Sequence, residues 1–274
     1  MTRRHQVQLA GLALALGAIS IWARDRAWMK MAADTLPLAF GLLLAVFIGR
    51  PWQPRTTPFT RNHQLLTAIS AVAFASGWVL GCLTLLTVSW TFLAMLWAHW
   101  AFDHHPGRAR LAWLLLLSFP WLVIEWPLIG WAFRLSSATV AEQFFNLVLI
   151  PTQRSGTHLN ILGLPIDIEP ACAGWNVLQL TLLAGVALGT SEIQNPRHFS
   201  LLLFLLPGIA WLANLLRILI LAALALSFDT QMASGVMHEF TGLAVLAAVL
   251  AMIKGFCFLL NPPRQATSRI IKPS

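Results

Sequence analysis

A chain of 274 residues that is 58% hydrophobic and only 10% charged, with a mean hydropathy of +0.72, is too apolar for a soluble domain, and it is neither disordered nor a small disulfide scaffold. It reads as an all-α polytopic transmembrane helical bundle forming one integral membrane domain over residues 1–274. The net charge of +8 does not point to nucleic acid, because the basic residues sit in short segments between apolar runs, where they orient a membrane protein.

The apolar runs fall at about 7–23, 35–49, 65–81, 83–102, 111–133, 173–190, 199–227 and 240–260, which predicts about eight spans of roughly 20 residues each. The first run follows Arg3 and Arg4 and lacks a convincing cleavage site, so it is expected to stay as a helix and not to act as a removed signal peptide. The stretch from Leu65 to Phe102 is too long for one helix and is split near Gly77–Gly81, where helix propensity is lowest.

With the N-terminus inside, the inner segments hold Arg3, Arg4, Arg50, Arg55, Arg61, Arg108, Arg110, Arg197, Arg264, Arg269 and Lys272. The outer segments hold Arg24, Arg26, Lys30, Arg134 and Arg154. The positive-inside rule then places both termini in the cytoplasm.

Residues 134–172 form the one long outer loop. Ala138–Ile150 reads as an interfacial helix, and the Gly- and Pro-punctuated alternation over 154–161 and 164–169 predicts two short extended segments. The helices carrying the chemical motifs follow, over 173–260.

Pro170 suits a first helical position, which would set Cys172 in the first turn of the sixth helix. Unpaired N–H groups and the positive end of the helix dipole stabilise a thiolate there, although the neighbouring Glu169 opposes this unless it is paired. Cys172, Asn176 and Gln179 share one helix face by their spacing. The odd cysteine count (Cys82, Cys172, Cys257) and the lack of a CxxC pair argue against a disulfide framework or a zinc site.

Arg217 stands deep in the seventh run with Asn214 one turn away, and an arginine in hydrocarbon costs about 2.5–3.5 kcal/mol even on the lenient insertion scale. His238 opens the last helix. The topology, set by loop charges alone, brings Cys172, Arg217 and His238 to one outer face. A thiol, an imidazole and a guanidinium make an acyl-transfer set: nucleophile, proton carrier and oxyanion stabiliser.

The Ala171-Cys172-Ala173-Gly174 motif, the Asn214-Leu215-Leu216-Arg217-Ile218 motif and the His238 start of the last helix resemble the exosortase/archaeosortase family. The resemblance covers about residues 150–260. It implies a multi-span enzyme of the bacterial or archaeal cytoplasmic membrane, a cysteine transpeptidase or protease whose site faces outward. Its substrates would be exported proteins with a C-terminal motif, a transmembrane helix and a basic tail, of which the PEP-CTERM signal is the bacterial example. Bacterial members are associated with exopolysaccharide production.

The resemblance assigns the nucleophile to Cys172, the arginine to Arg217 and the histidine to His238, with Asn214, Glu169 and Asn176 as supporting residues. No metal or cofactor is implied. The family usually reads Ala-Cys-Ser-Gly followed by an aliphatic residue, whereas this chain has Ala173 and Trp175.

Two other classes fit the residues alone. One is a transporter with Arg217, Asn214 and Gln179 lining a pathway. The other is a structural subunit of an export or exopolysaccharide complex with a dispensable cysteine. A thiol oxidoreductase would need Cys82 or Cys257 brought to Cys172.

Overall fold

The computed structural model describes residues 2–24, 32–55, 58–103, 107–167, 175–227 and 236–260; for 32–37, 167, 175–177 and 236–239 the backbone alone is described. Helices dominate. They are α1 (Arg3–Arg24), α2 (Ala32–Ile48), α3 (Arg61–Leu80), α4 (Leu83–Ala101), α5 (Leu111–Leu117), α6 (Trp121–Glu125), α7 (Pro127–Leu147), α8 (Trp175–Glu192), α9 (Pro196–Ser227) and α10 (Val236–Leu260). Among the described residues, five helices are long and apolar enough to cross a membrane: α1, α3, α4, α9 and the Phe240–Leu260 part of α10. The molecule is a helical membrane protein.

The split expected near Gly77–Gly81 is present. Gly81 adopts a left-handed φ of 76° at the end of α3, and α4 starts two residues later. Glu125 then closes the start of α4 from outside. Its carboxylate accepts hydrogen bonds from the N–H groups of Leu83 and Thr84, the latter at 2.7 Å, from the Thr84 hydroxyl at 2.6 Å and from the Cys82 thiol at 3.7 Å. An anion at a helix N-terminus meets both the orphan N–H groups and the dipole.

The run 111–133, expected as one helix, is broken into α5, α6 and the beginning of α7. Pro120 and Pro127 interrupt it; a proline lacks the N–H of the helix ladder and disfavours helical backbone in the residue before it. Pro127 instead opens α7 at a position where its missing N–H costs nothing. The helix expected over Ala138–Ile150 is present up to Leu147, and it begins earlier, as the second half of α7, continuous with the end of the fifth apolar run.

The loop that follows is not purely helical or irregular. In place of two extended segments it holds a three-stranded antiparallel sheet, β1 (Thr152–Ser155), β2 (His158–Ile161) and β3 (Leu164–Asp167), in the order β1-β2-β3. The turns use positive φ at Gly156 (62°), Leu162 (54°) and Gly163 (87°). Asn146, near the end of α7, clamps the outer strand: its amide donates to the Thr152 carbonyl at 3.0 Å and accepts from the Thr152 N–H at 2.9 Å.

Two larger cores organise the C-terminal part. The main one joins α2, α5, α8, α9 and α10 through Leu38, Leu114, Val186, Leu202, Leu206, Val249 and Ile253. The other joins α7, the sheet and the second half of α9 through Ala141, Phe145, Leu159, Ile161, Ile218 and Ala222. The helix α9 has 32 residues, about 48 Å, and so exceeds the roughly 30 Å of bilayer hydrocarbon. Its surplus length carries the sheet.

Basic residues collect at the opposite end of the bundle. Arg3 donates to the Trp100 carbonyl (3.1 Å), Arg108 lies over the Trp52 ring (5.0 Å), and Arg110 donates to the Ile193 and Gln194 carbonyls. Lys254, which no loop accounts for, pairs with Glu192 at the end of α8.

Candidate functional site

Arg217 lies on α9 roughly 32 Å from Pro196, about one hydrocarbon thickness from the arginine-bearing end. It is half-buried. A helix that overshoots the bilayer sets the residue near its far interface, so the full cost of a guanidinium in mid-bilayer does not apply.

The helices α9 and α10 pack side by side, and Arg217 points at the seam. A Cβ on Gly242 of α10 would stand 3.6 Å from Arg217 Nη2 and 3.8 Å from Cζ. A Cβ there would be in ordinary van der Waals contact with the guanidinium. The backbone of His238 lies one turn before Gly242, on the same face of α10. Arg217 and His238 are therefore carried on facing helix surfaces about one turn apart. Gly242 was not singled out from sequence, although its i, i+4 spacing from His238 was the available signal.

The helices α8 and α9 also run antiparallel in close contact. A Cβ on Gly189 would meet Leu202 at 2.7 Å, and one on Gly185 would overlap Leu206. Small residues here allow the two backbones to approach. Each turn back along α8 thus matches a turn forward along α9. Further toward the start of α8, Leu178 packs against Ala210 of α9, one turn before Asn214. Cys172 and Glu169 lie outside the described residues, as do the side chains of Asn176 and His238.

Asn214 is fully buried, and among the described residues neither its Oδ1 nor its Nδ2 has a hydrogen-bond partner. A buried, unpaired amide costs about 1–3 kcal/mol. Asn214 lies one turn before Arg217 on α9.

Gln179 differs. Its Nε2 donates to the carbonyls of Leu117 (3.0 Å) and Phe119 (2.6 Å), where the fifth run breaks, which fastens α8 to α5. Its Oε1 is buried with no hydrogen-bond partner among the described residues. Cys82 serves the start of α4, and Cys257 is buried near the opposite end of the bundle, beside the Glu192–Lys254 pair.

The family model described as transmembrane exosortase (Exosortase_EpsH) matches residues 2–255, nearly the whole chain. No curated protein and no solved structure matches.

Proposed function

The chain belongs to the transmembrane exosortase family, and on that premise we propose that it is a membrane-embedded cysteine transpeptidase or protease that removes the C-terminal sorting signal of exported proteins. The observation that carries this reading is that Arg217 of α9 faces Gly242 of α10, one turn after His238, at the end of the bundle where α8 begins. That end is the one opposite the cluster of Arg3, Arg108 and Arg110, which supports an outward-facing site and cytoplasmic termini. In this reading α2, α8 and the broken α5–α6 segment add further crossings, which keeps the count near eight.

The reaction needs only groups of this chain. The Cys172 thiol gives its proton to His238, and the thiolate attacks the scissile carbonyl. The oxyanion that develops is held by the Arg217 guanidinium, which stays charged throughout. As the C–N bond breaks, His238 returns the proton to the leaving amine, and the anchor helix with its basic tail departs. The resulting thioester is resolved by water, giving a free carboxylate, or by an acceptor amine, giving a new amide.

The test is mass analysis of the mature C-terminus of a co-expressed PEP-CTERM-type substrate. The unaltered chain yields a truncated C-terminus, carrying added mass if an amine is the acceptor. Cys172→Ala abolishes the cut, and His238→Ala flattens the near-neutral pH dependence. Cleavage that persists in Cys172→Ala excludes the nucleophile and with it the reading.

A further inference from the structure

We propose that the groove between α1, α3 and α4 is a binding site for one anionic phospholipid, with an acyl chain against the tryptophan wall of α4 and the phosphate at the basic rim of the groove. The proposal does not depend on the catalytic reading. It begins with how α1 is attached. Two indoles of α4, seven residues apart, donate to two α1 carbonyls seven residues apart: Trp90 to Leu14 at 2.9 Å and Trp97 to Val7 at 3.1 Å. The hydrogen bonds fix α1 and α4 antiparallel, two turns against two turns. The helix α3 packs on another side of α4, and a cavity of about 630 Å³ remains between α1 and α3.

The cavity is graded along its length. Ala13 and Gly17 of α1, Phe74 of α3 and Trp90 of α4 make one end apolar. Gln6, Gln64, Phe59 and Trp100 line the other end. From Gln6 to Gly17 is roughly 16 Å along the helix, the reach of an acyl chain and its ester region.

The polar end opens where positive charge collects. Arg3 lies over the Trp100 ring at 5.5 Å, Arg61 is the first residue of α3, and His63 stacks on His99 at 5.6 Å, next to Phe59. Among the described residues no carboxylate lines the cavity. An occupant must therefore be apolar at one end, hydrogen-bonding in the middle and anionic at the mouth. Basic pockets between helices are a known route to anionic head-group recognition, each arginine near the membrane surface being worth about a fivefold preference.

The full-length chain, extracted in mild detergent from membranes of mixed phosphatidylglycerol and phosphatidylethanolamine, would be weighed intact by native mass spectrometry. The expected result is one retained phosphatidylglycerol per chain. Arg61→Gln lowers its preference over phosphatidylethanolamine about fivefold, and Ala13→Trp, which fills the groove, abolishes retention. Thr67→Trp on the α3 wall repeats the blocking test should the first variant fail to fold. Equal retention of both lipids, retention unaffected by the blocking variants, or a peptide in place of lipid would overturn the proposal.

Discussion

The guanidinium of Arg217 rests against Gly242 across the seam between α9 and α10, close enough that a methyl group on Gly242 would be in van der Waals contact with it. The contact ties the position of the arginine to the helix that carries His238. Gly242→Ala is expected to be tolerated, since 3.6 Å is an ordinary contact distance. Gly242→Leu has no such room and displaces the guanidinium, with a loss of processing on the order of tenfold to a hundredfold, as for a reacting group misplaced by about 1 Å. A substrate-cleavage time course on both variants checks this, and equal activity of the two would remove the seam from the site.

Asn214 offers a test that separates function from packing. Its amide is buried with neither polar atom paired among the described residues, so Asn214→Leu removes an unfavourable burial. Thermal unfolding in detergent is expected to stay level or rise, while substrate cleavage falls at least tenfold. A lowered melting temperature with normal cleavage would make Asn214 a structural residue.

Gln179 gives the opposite pattern. Gln179→Leu strands the Leu117 and Phe119 carbonyls at the break between α5 and α6 and should cost about 1–2 kcal/mol of stability. Cleavage by the folded fraction should be unchanged. Loss of cleavage without loss of stability would place Gln179 in the site.

Asn146 holds the sheet against the helices. Replacing it with alanine leaves the Thr152 N–H and C=O without their partner. Hydrogen exchange at the Thr152 amide is expected to accelerate severalfold while amides in the middle of α9 stay protected. Uniform acceleration through α9 would mean that the sheet supports the whole helix instead of capping its end.

The sequence by itself determined the class of molecule, because hydropathy is a sum over neighbouring residues and needs no knowledge of the fold. It also located the turn at Gly81, since glycine there relieves a left-handed backbone whatever packs around it. Arg217 was identifiable as a residue that no topology rule required. Pro120 and Pro127 were visible too, yet a proline only says where a helix can break. Whether the chain resumes as helix past it depends on what receives the freed ends, and here Glu125 closes the start of α4 while Gln179 collects the carbonyls of the break.

Only the tertiary structure decided the continuity of α7, the third strand and the packing of Arg217 toward Gly242. The apolar side chains of Leu159 and Ile161 have meaning as a sheet face only once α7 and the overshooting end of α9 offer a surface to bury them. The contact of Arg217 with Gly242 belongs to the same class: it joins residues on two helices whose spacing along the chain says nothing about their approach, and it exists because small and apolar residues lower in the bundle bring α8, α9 and α10 together.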